Sequence, residues 1–272
     1  MKPDWLIQTN MEGVDTGLMI AEVLAQGMQV RRIEHRLGAQ VDFSGYNPHD
    51  CIVCYGDIDF VRQVHKMAPF IPGAWCNFHH MKCSTYYAHL GEHLLNQQYM
   101  MMPVGDLLRR WDTLITYAPD QSWFIRPDSG AKPFTGYVVA PSEKHKIQTL
   151  VQAVGPETLI VVSPELPIAA EWRFVICDRK VVTGCRYLPD ESPNLEPSSL
   201  RLAGKIASQE WQPDLCYTVD IAESLGRMYL LEINSFSCAG LYDCNMRSII
   251  EQASKVATDE WKEYCAPNTT NA

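Results

Sequence analysis

The run "YTVDIAESLGRMYLLEIN", Tyr217 to Asn234, constrains this chain more than any other stretch. Two strand-like apolar runs flank a short turn containing Gly226, as an antiparallel hairpin requires. Glu232 and Asn234 are two apart, so on one strand they face the same side, about 6.6–6.8 Å apart. A three-residue turn, Ser224-Leu225-Gly226 with glycine left-handed, would set Asp220 diagonally opposite Glu232 on that face, at roughly 7–8 Å between backbones. Two carboxylates and one amide oxygen form a hard-oxygen set, suited to a Mg²⁺ that keeps waters and bridges substrate phosphates. Acids on strands usually mark a solvated face. Here both acids interrupt apolar runs, and two acids this close repel each other without a cation.

A second stretch, "WFIRPDSGAKPFTGY", reads as a buried strand followed by a polar loop with two glycines, with Arg126 and Lys132 on either side of the turn. Backbone N–H groups approach phosphates closely where side chains are absent. Arg126 gives a planar fork for phosphate oxygens and Lys132 a mobile point charge. At ~4 Å and an effective dielectric near 20, each contact is worth about 4 kcal/mol before desolvation. The formal net charge of -9 argues against a general nucleic-acid coat, so an anionic ligand needs such a locally positive place. Between the two stretches, "TLIVVSPELPIAAEWRF" is a buried strand, a proline-bounded connection and another strand. An extended backbone beside apolar side chains suits an adenine edge, and a following acid such as Glu171 suits ribose hydroxyls; a plain strand–loop–strand fits the pattern equally well.

The 272 residues allow one large domain or two to three small ones. The first 80 alternate strand and helix signals, implying a small open α/β sheet with ligands at the carboxyl ends of its strands. The first turn, "TNMEGVDTG", lacks G-x-G-x-x-G, so a dinucleotide fold is not supported. Residues 81 to 120 read as mainly helical around "YMMM", which is core filling. Strands dominate from 123, a last helix follows, and the tail "APNTTNA" is expected to be disordered. No apolar run approaches the ~20 residues that span a bilayer, and the start lacks a signal-peptide core. The ten cysteines therefore read as mostly reduced thiols of a cytoplasmic protein without membrane or nucleic-acid partners. "CNFHHMKC" clusters Cys76, His79, His80 and Cys83, but adjacent histidines make poor tetrahedral geometry, and an ordinary loop is expected. Cys51 and Cys54 are expected in the core.

Taken in order, "FIRPDSGAKPFTG", "IVVSP" with "EWRFVI", "YTVDIA" and "YLLEINSFSCAGLY" resemble the ATP-grasp superfamily, closest to its compact prokaryotic and phage members. The resemblance implies a mixed α/β and α+β fold: an N-terminal α/β substrate domain over 1–80, then a two-lobed ATP-grasp fold with antiparallel sheets. Its N-terminal lobe would be 81–165, with the phosphate loop, and its C-terminal lobe 166–272, with the metal hairpin. It implies ATP and Mg²⁺ as cofactors, with Asp220, Glu232 and Asn234 on the metal. Arg126 and Lys132 would hold phosphates, with Asp220 and Glu232 completing the ATP site. Val162 and Ser163 would supply the hinge, and Glu171 would hold the ribose. Arg173 and Arg186 resemble arginines that steady the transferring phosphate or a substrate carboxylate. Ser235, Ser237, Cys238 and Gly240 would line the acceptor side. Most members carry lysine where Arg126 stands and another earlier, for which Lys82 is a loose candidate. The implied activity is an ATP-dependent carboxylate–amine ligase acting on small-molecule or peptide carboxylates and amines. A small-molecule kinase on the same fold and a non-catalytic nucleotide-binding module are the alternatives.

Overall fold

The computed structural model describes residues 2–265. The polar tail from 266 onward lies outside the described residues. The chain divides into two compact units: Met1–Asn77, Glu171–Ile221 and Glu232–Ala272 form the first, and Phe78–Ala170 with Ala222–Leu231 form the second. The segments read as 1–80 and 166–272 thus fall largely in one unit, and a common core is the reason.

In the first unit, β1 (Asp4–Gln8), α1 (Gly17–Ala25), β2 (Val30–Ile33), β3 (Cys51–Tyr55), α2 (Ile58–Met67) and β4 (Ile71–Gly73) follow one another. The four strands pair in parallel in the order β2-β1-β3-β4. The β/α alternation legible in the sequence becomes a small open parallel sheet. Its central strand β3, "CIVCY", is buried along its whole length, Cys51 and Cys54 included. At the head of α2, Asp57 accepts a hydrogen bond from the Phe60 N–H at 2.8 Å, satisfying one orphan donor of the first turn.

The last helix, numbered α7 (Met246–Cys265), buries Ile249, Ile250, Ala253, Ser254, Val256 and Ala257. That is the near-3.6 spacing of one apolar face. It packs on α1, β3 and β4, and the Trp5 indole N–H donates to Ser254 Oγ at 3.1 Å. Trp5, Ile7, Val53, Phe236 and Ile249 join one core with Val175 and Cys185 of the C-terminal segment. Each such fully buried side chain contributes roughly 1.5–3 kcal/mol.

The second unit carries α3 (Cys83–Leu90), β5 (Met100–Pro103), α4 (Val104–Tyr117), β6 (Trp123–Pro127), β7 (Tyr137–Val139), α5 (Lys144–Val154) and β8 (Leu159–Pro164). Its sheet is antiparallel in the order β5-β8-β6-β7. One face of that sheet packs under α4 and α5 through Val104, Leu107, Trp111, Ile125, Ile147 and Val162. Met100 and Met102 of "YMMM" pack at the edge of this core.

A third sheet runs β10-β9-β11-β12, from β9 (Ala170–Cys177), β10 (Lys180–Leu188), β11 (Cys216–Ser224) and β12 (Arg227–Ser235). The helix α6 (Pro197–Ser208), with proline in its first turn, lies between β10 and β11 in the chain and packs on β10. The hairpin turn is corrected. β11 ends at Ser224 and β12 begins at Arg227, so Leu225 and Gly226 alone make the turn. Both have positive φ, 51° and 74°, as the two-residue type I′ turn demands.

Candidate functional site

Within the first unit, β9, β11 and β12 bring four polar side chains together. Arg173 on β9 donates from Nε to Asp220 Oδ1 at 2.7 Å and from Nη2 to Oδ2 at 2.6 Å. Its Nη1 donates to the Gly240 carbonyl at 2.7 Å. Asp220 on β11 is 1% exposed and Arg173 is 6%. The Asn234 amide Nδ2 donates to Glu232 Oε1 at 3.0 Å and to Asp220 Oδ2 at 3.3 Å. Asn234 Oδ1, also buried, has no hydrogen-bond partner among the described residues. A regular ladder from a two-residue turn would set Asp220 opposite Leu231, on the face away from Asn234. The observed contact therefore requires the pairing to slip by one residue between turn and site.

Aromatic rings frame this cluster. Tyr187 and Tyr242 stack with centroids 4.7 Å apart and planes 8° apart. The Arg173 guanidinium carbon stands 4.9 Å from the Tyr242 ring and 5.6 Å from that of Tyr187. The Tyr187 hydroxyl donates to Glu171 Oε2. Burial pulls the Arg173 pKa down, but the charge and hydrogen bonds of Asp220 outweigh it, and the net shift is upward. Burial raises Glu171, and the nearby charges of Asp220 and Glu232 add to this, against the lowering Tyr187 hydrogen bond. Around this cluster the carboxylates of Asp220, Glu232 and Glu171 outnumber the single guanidinium of Arg173.

In the second unit, Arg126, the penultimate residue of β6, is 7% exposed and donates from Nη1 to the Leu231 carbonyl at 3.1 Å. The loop after it is tied down by Asp128, whose side chain accepts from the Ser84 N–H at 2.6 Å at the head of α3. A Cβ on Gly130 would lie 2.7 Å from Met81 Cβ, so the loop backbone fits there only as glycine. Lys132, at φ 45°, sits in the same loop. A cavity of about 350 Å³ lies in this unit, walled by Phe124, Tyr137, Ile168 and Leu231 and bordered by Asn96 and Glu165.

Residues 108–251 match the model of the family described as ATP-grasp domain, R2K clade family 2. This chain belongs to that ATP-grasp family. No curated protein matches it. Among solved structures, the D-alanine–D-alanine ligase of Bacillus anthracis is similar over 97% of this chain and 99% of that one, with TM-score 0.63 and 12% identity. The same enzyme has been solved complexed with ATP. D-cycloserine synthetase DcsG is similar over 93% of this chain and 99% of that one, with TM-score 0.60 and 12% identity. ATP-grasp ligase PsnB, complexed with a minimal precursor, covers 94% and 100%, with TM-score 0.55 and 9% identity. At such identities the likeness shows the fold.

Within this ATP-grasp protein, Asp220, Glu232, Asn234, Arg173 and Glu171 are brought into one neighbourhood. Arg186 is not. β-Register sets Arg173 opposite Cys185 and Arg186 opposite Trp172, so consecutive side chains of β10 part to opposite faces. The Arg186 guanidinium instead donates from Nη2 to both Asp190 oxygens at 3.0 Å. Val162 packs in the core of the second unit, and the cavity wall begins beyond it, at Glu165–Ile168. Ser163 Oγ is buried without a partner among the described residues. Two of the residues expected on the acceptor side have partners within the fold. Ser235 Oγ donates to the Trp75 carbonyl at 2.8 Å, and Ser237 Oγ accepts from the Trp75 N–H at 2.9 Å. Both serines are buried and anchor the loop; Cys238 is partly exposed. Gly240 serves through its carbonyl on Arg173. Lys82 stands at the head of α3. Among the described residues, no group of three or more His, Cys, Asp or Glu could hold a metal, "CNFHHMKC" included. No described helix is long and apolar enough to cross a membrane. Tyr187, Tyr242, Asp128 and Asn96 went unseen in the sequence. Only the tyrosines carried a signal, their closeness to "GCRY" and "AGLYDC".

Proposed function

We propose that this protein is an ATP-dependent ligase that activates a substrate carboxylate as an acyl phosphate and joins it to an amine. One observation carries the reading: a buried arginine paired with Asp220, beside an asparagine that bridges Asp220 and Glu232 and whose amide oxygen has no partner among the described residues. Family membership supports it, as do the ligase names of the structurally similar proteins.

In the first step a carboxylate oxygen of the substrate attacks the γ-phosphorus and the bond to ADP breaks. In the second, an amine nitrogen attacks the acyl carbon and inorganic phosphate leaves, with the surplus amine proton passing to solvent. Neither step requires a protein nucleophile; positioning and charge neutralisation are the protein's part. Arg173 uses three of its five N–H donors on Asp220 and Gly240, leaving two for a phosphoryl or carboxylate oxygen. Tyr187 and Tyr242 hold the plane of its guanidinium. Arg126 on β6 and Lys132, on a loop that Asp128 and Gly130 fasten, supply positive charge for the triphosphate. The aromatic-walled cavity of the second unit takes the adenine.

The donor set of Asp220, Glu232 and Asn234 fits Mg²⁺. It can present oxygen throughout, it carries excess negative charge, and Asn234 Oδ1 is a buried acceptor without a partner among the described residues. A half-turn of the amide, whose Nδ2 faces both carboxylates, would bring that oxygen to the ion. With only two acids, the set leaves coordination positions to phosphate oxygens and water. When bound, the ion neutralises phosphate charge.

The test is to offer the protein MgATP with pools of amino acids, small acids and short peptides, and to follow ADP, phosphate and product mass. ADP and free phosphate release that depends on both a carboxylate and an amine is expected. Phosphate retained on the acceptor would make it a kinase, and ADP at background with every pair would end the reading.

A further inference from the structure

Asn96 is a buried side chain with nothing to bind. It is 7% exposed. Its side-chain amide makes no hydrogen bond to any described residue, where buried polar groups in proteins are normally paired. Its place is fixed from below. Leu94 pairs with Leu230 as a parallel bridge, and the Leu95 N–H donates to the Leu230 carbonyl at 2.9 Å. Leu94 and Leu95 are buried at 1% and 6%. The amide is therefore carried on well-packed backbone, at the margin of open space.

Asn96 borders two cavities of the second unit at once. One is the aromatic-walled space of about 350 Å³; the other, of about 290 Å³, shares Leu95, Asn96 and Leu166 with it. The larger cavity has Phe124, Tyr137, Ile168 and Leu231 for its walls, which suit the flat faces of a base. Flat apolar walls favour any purine alike. A polar group at the margin is what tells one base from another, and Asn96 is the buried side chain able both to donate and to accept there. Glu165, at the same margin, is exposed and offers acceptors only.

We infer that Asn96 reads the base of the nucleotide and sets a preference for adenine over guanine. This rests on the nucleotide assignment made above. Its Oδ1 accepts from the 6-amino group, while Nδ2 donates to the neighbouring ring nitrogen, the two-bond match that a side-chain amide makes with adenine. Guanine puts a carbonyl oxygen where the amino group would be. That oxygen faces Oδ1, and one bond of the pair becomes a repulsion. An amide satisfied by water alone, with no role in recognition, is the alternative, and it leaves base preference untouched.

The experiment measures dissociation constants by calorimetry for MgATP, MgGTP and the Mg²⁺ complex of purine riboside triphosphate, which lacks the 6-amino group. Wild-type protein should bind ATP more tightly than either analogue, by roughly 5- to 150-fold. Asn96→Leu, close in size and apolar, should lose that preference by weakening ATP while leaving GTP nearly unchanged. ATP and purine riboside triphosphate bound equally by the wild type would overturn the inference, whether or not the variant folds. An unchanged ATP-to-GTP ratio in a folded Asn96→Leu protein would do the same. Both results leave nucleotide binding standing. Failure of the wild type to bind any of the three would instead remove the ligase reading, and this inference with it.

Discussion

Arg173 and Asp220 form a two-armed ion pair, 2.7 and 2.6 Å long, with both partners buried. Taking both charges out of water costs more than an exposed pair would, and the close fork geometry offsets the cost. Removing one partner strands the other. Arg173→Met should destabilise the protein by about 3–5 kcal/mol, read as a lower urea midpoint. Adding Asp220→Leu to that variant should recover part of the loss, because no unpaired buried charge remains. A double variant less stable than the single one would show that the pair is not the unit of stability.

Asn234 supplies the donor that lets two carboxylates stand side by side. Asn234→Asp replaces that donor with a third acid against Glu232 and Asp220, and like charges at this distance repel. A loss of about 1–3 kcal/mol in EDTA corresponds to roughly 2–10 °C in melting temperature for a chain of this size. Added MgCl₂ should raise the melting temperature of the variant more than that of the wild type. Equal responses to Mg²⁺ would separate the cluster from metal binding.

The sheets were legible because alternation and turn residues are local signals. Glu232 and Asn234 share a face by their spacing alone. The partner of Asp220 was not legible, because Arg173 lies 47 residues away and nothing local says that β9 adjoins β11. Position after the metal strand suggested that Ser235 and Ser237 face a substrate. Both also bond the backbone of Trp75, 160 and 162 residues distant, and only packing reveals that. Arg186, on the other face of β10 from Cys185 and paired with Asp190, was illegible for the opposite reason. The two-residue period of β10 was in the sequence, but which face carried the site was not. Asn96 lies outside any helix or strand and belongs to no periodic pattern.

Asp214 supplies a pH dependence of known sign. Burial raises its pKa from 3.8 to about 6, against two backbone hydrogen bonds from Asn77 and Leu215, with the Glu260 charge adding a further upward push. Between about pH 4 and 6 the folded protein holds a proton that the unfolded chain has lost. Stability should therefore fall as pH rises through that window and level off above it. At 1.36 kcal/mol per unit, the fall is bounded at roughly 3 kcal/mol. Asp214→Asn should flatten this slope in urea midpoints taken from pH 4 to pH 7. An unchanged slope would assign the titration to another group.

Ser237 separates anchoring from catalysis. Its side chain is fully buried and accepts the Trp75 N–H, while its own carbonyl accepts the Gly56 N–H at 2.9 Å. Ser237→Ala deletes the first bond and leaves the Trp75 N–H buried without an acceptor. The cost should be about 1–3 kcal/mol of stability. Because the hydroxyl is spent on the fold, the variant should keep the KM of the wild type for the amine at a temperature where both are folded. A rise in KM without a loss of stability would assign Ser237 to the acceptor site instead.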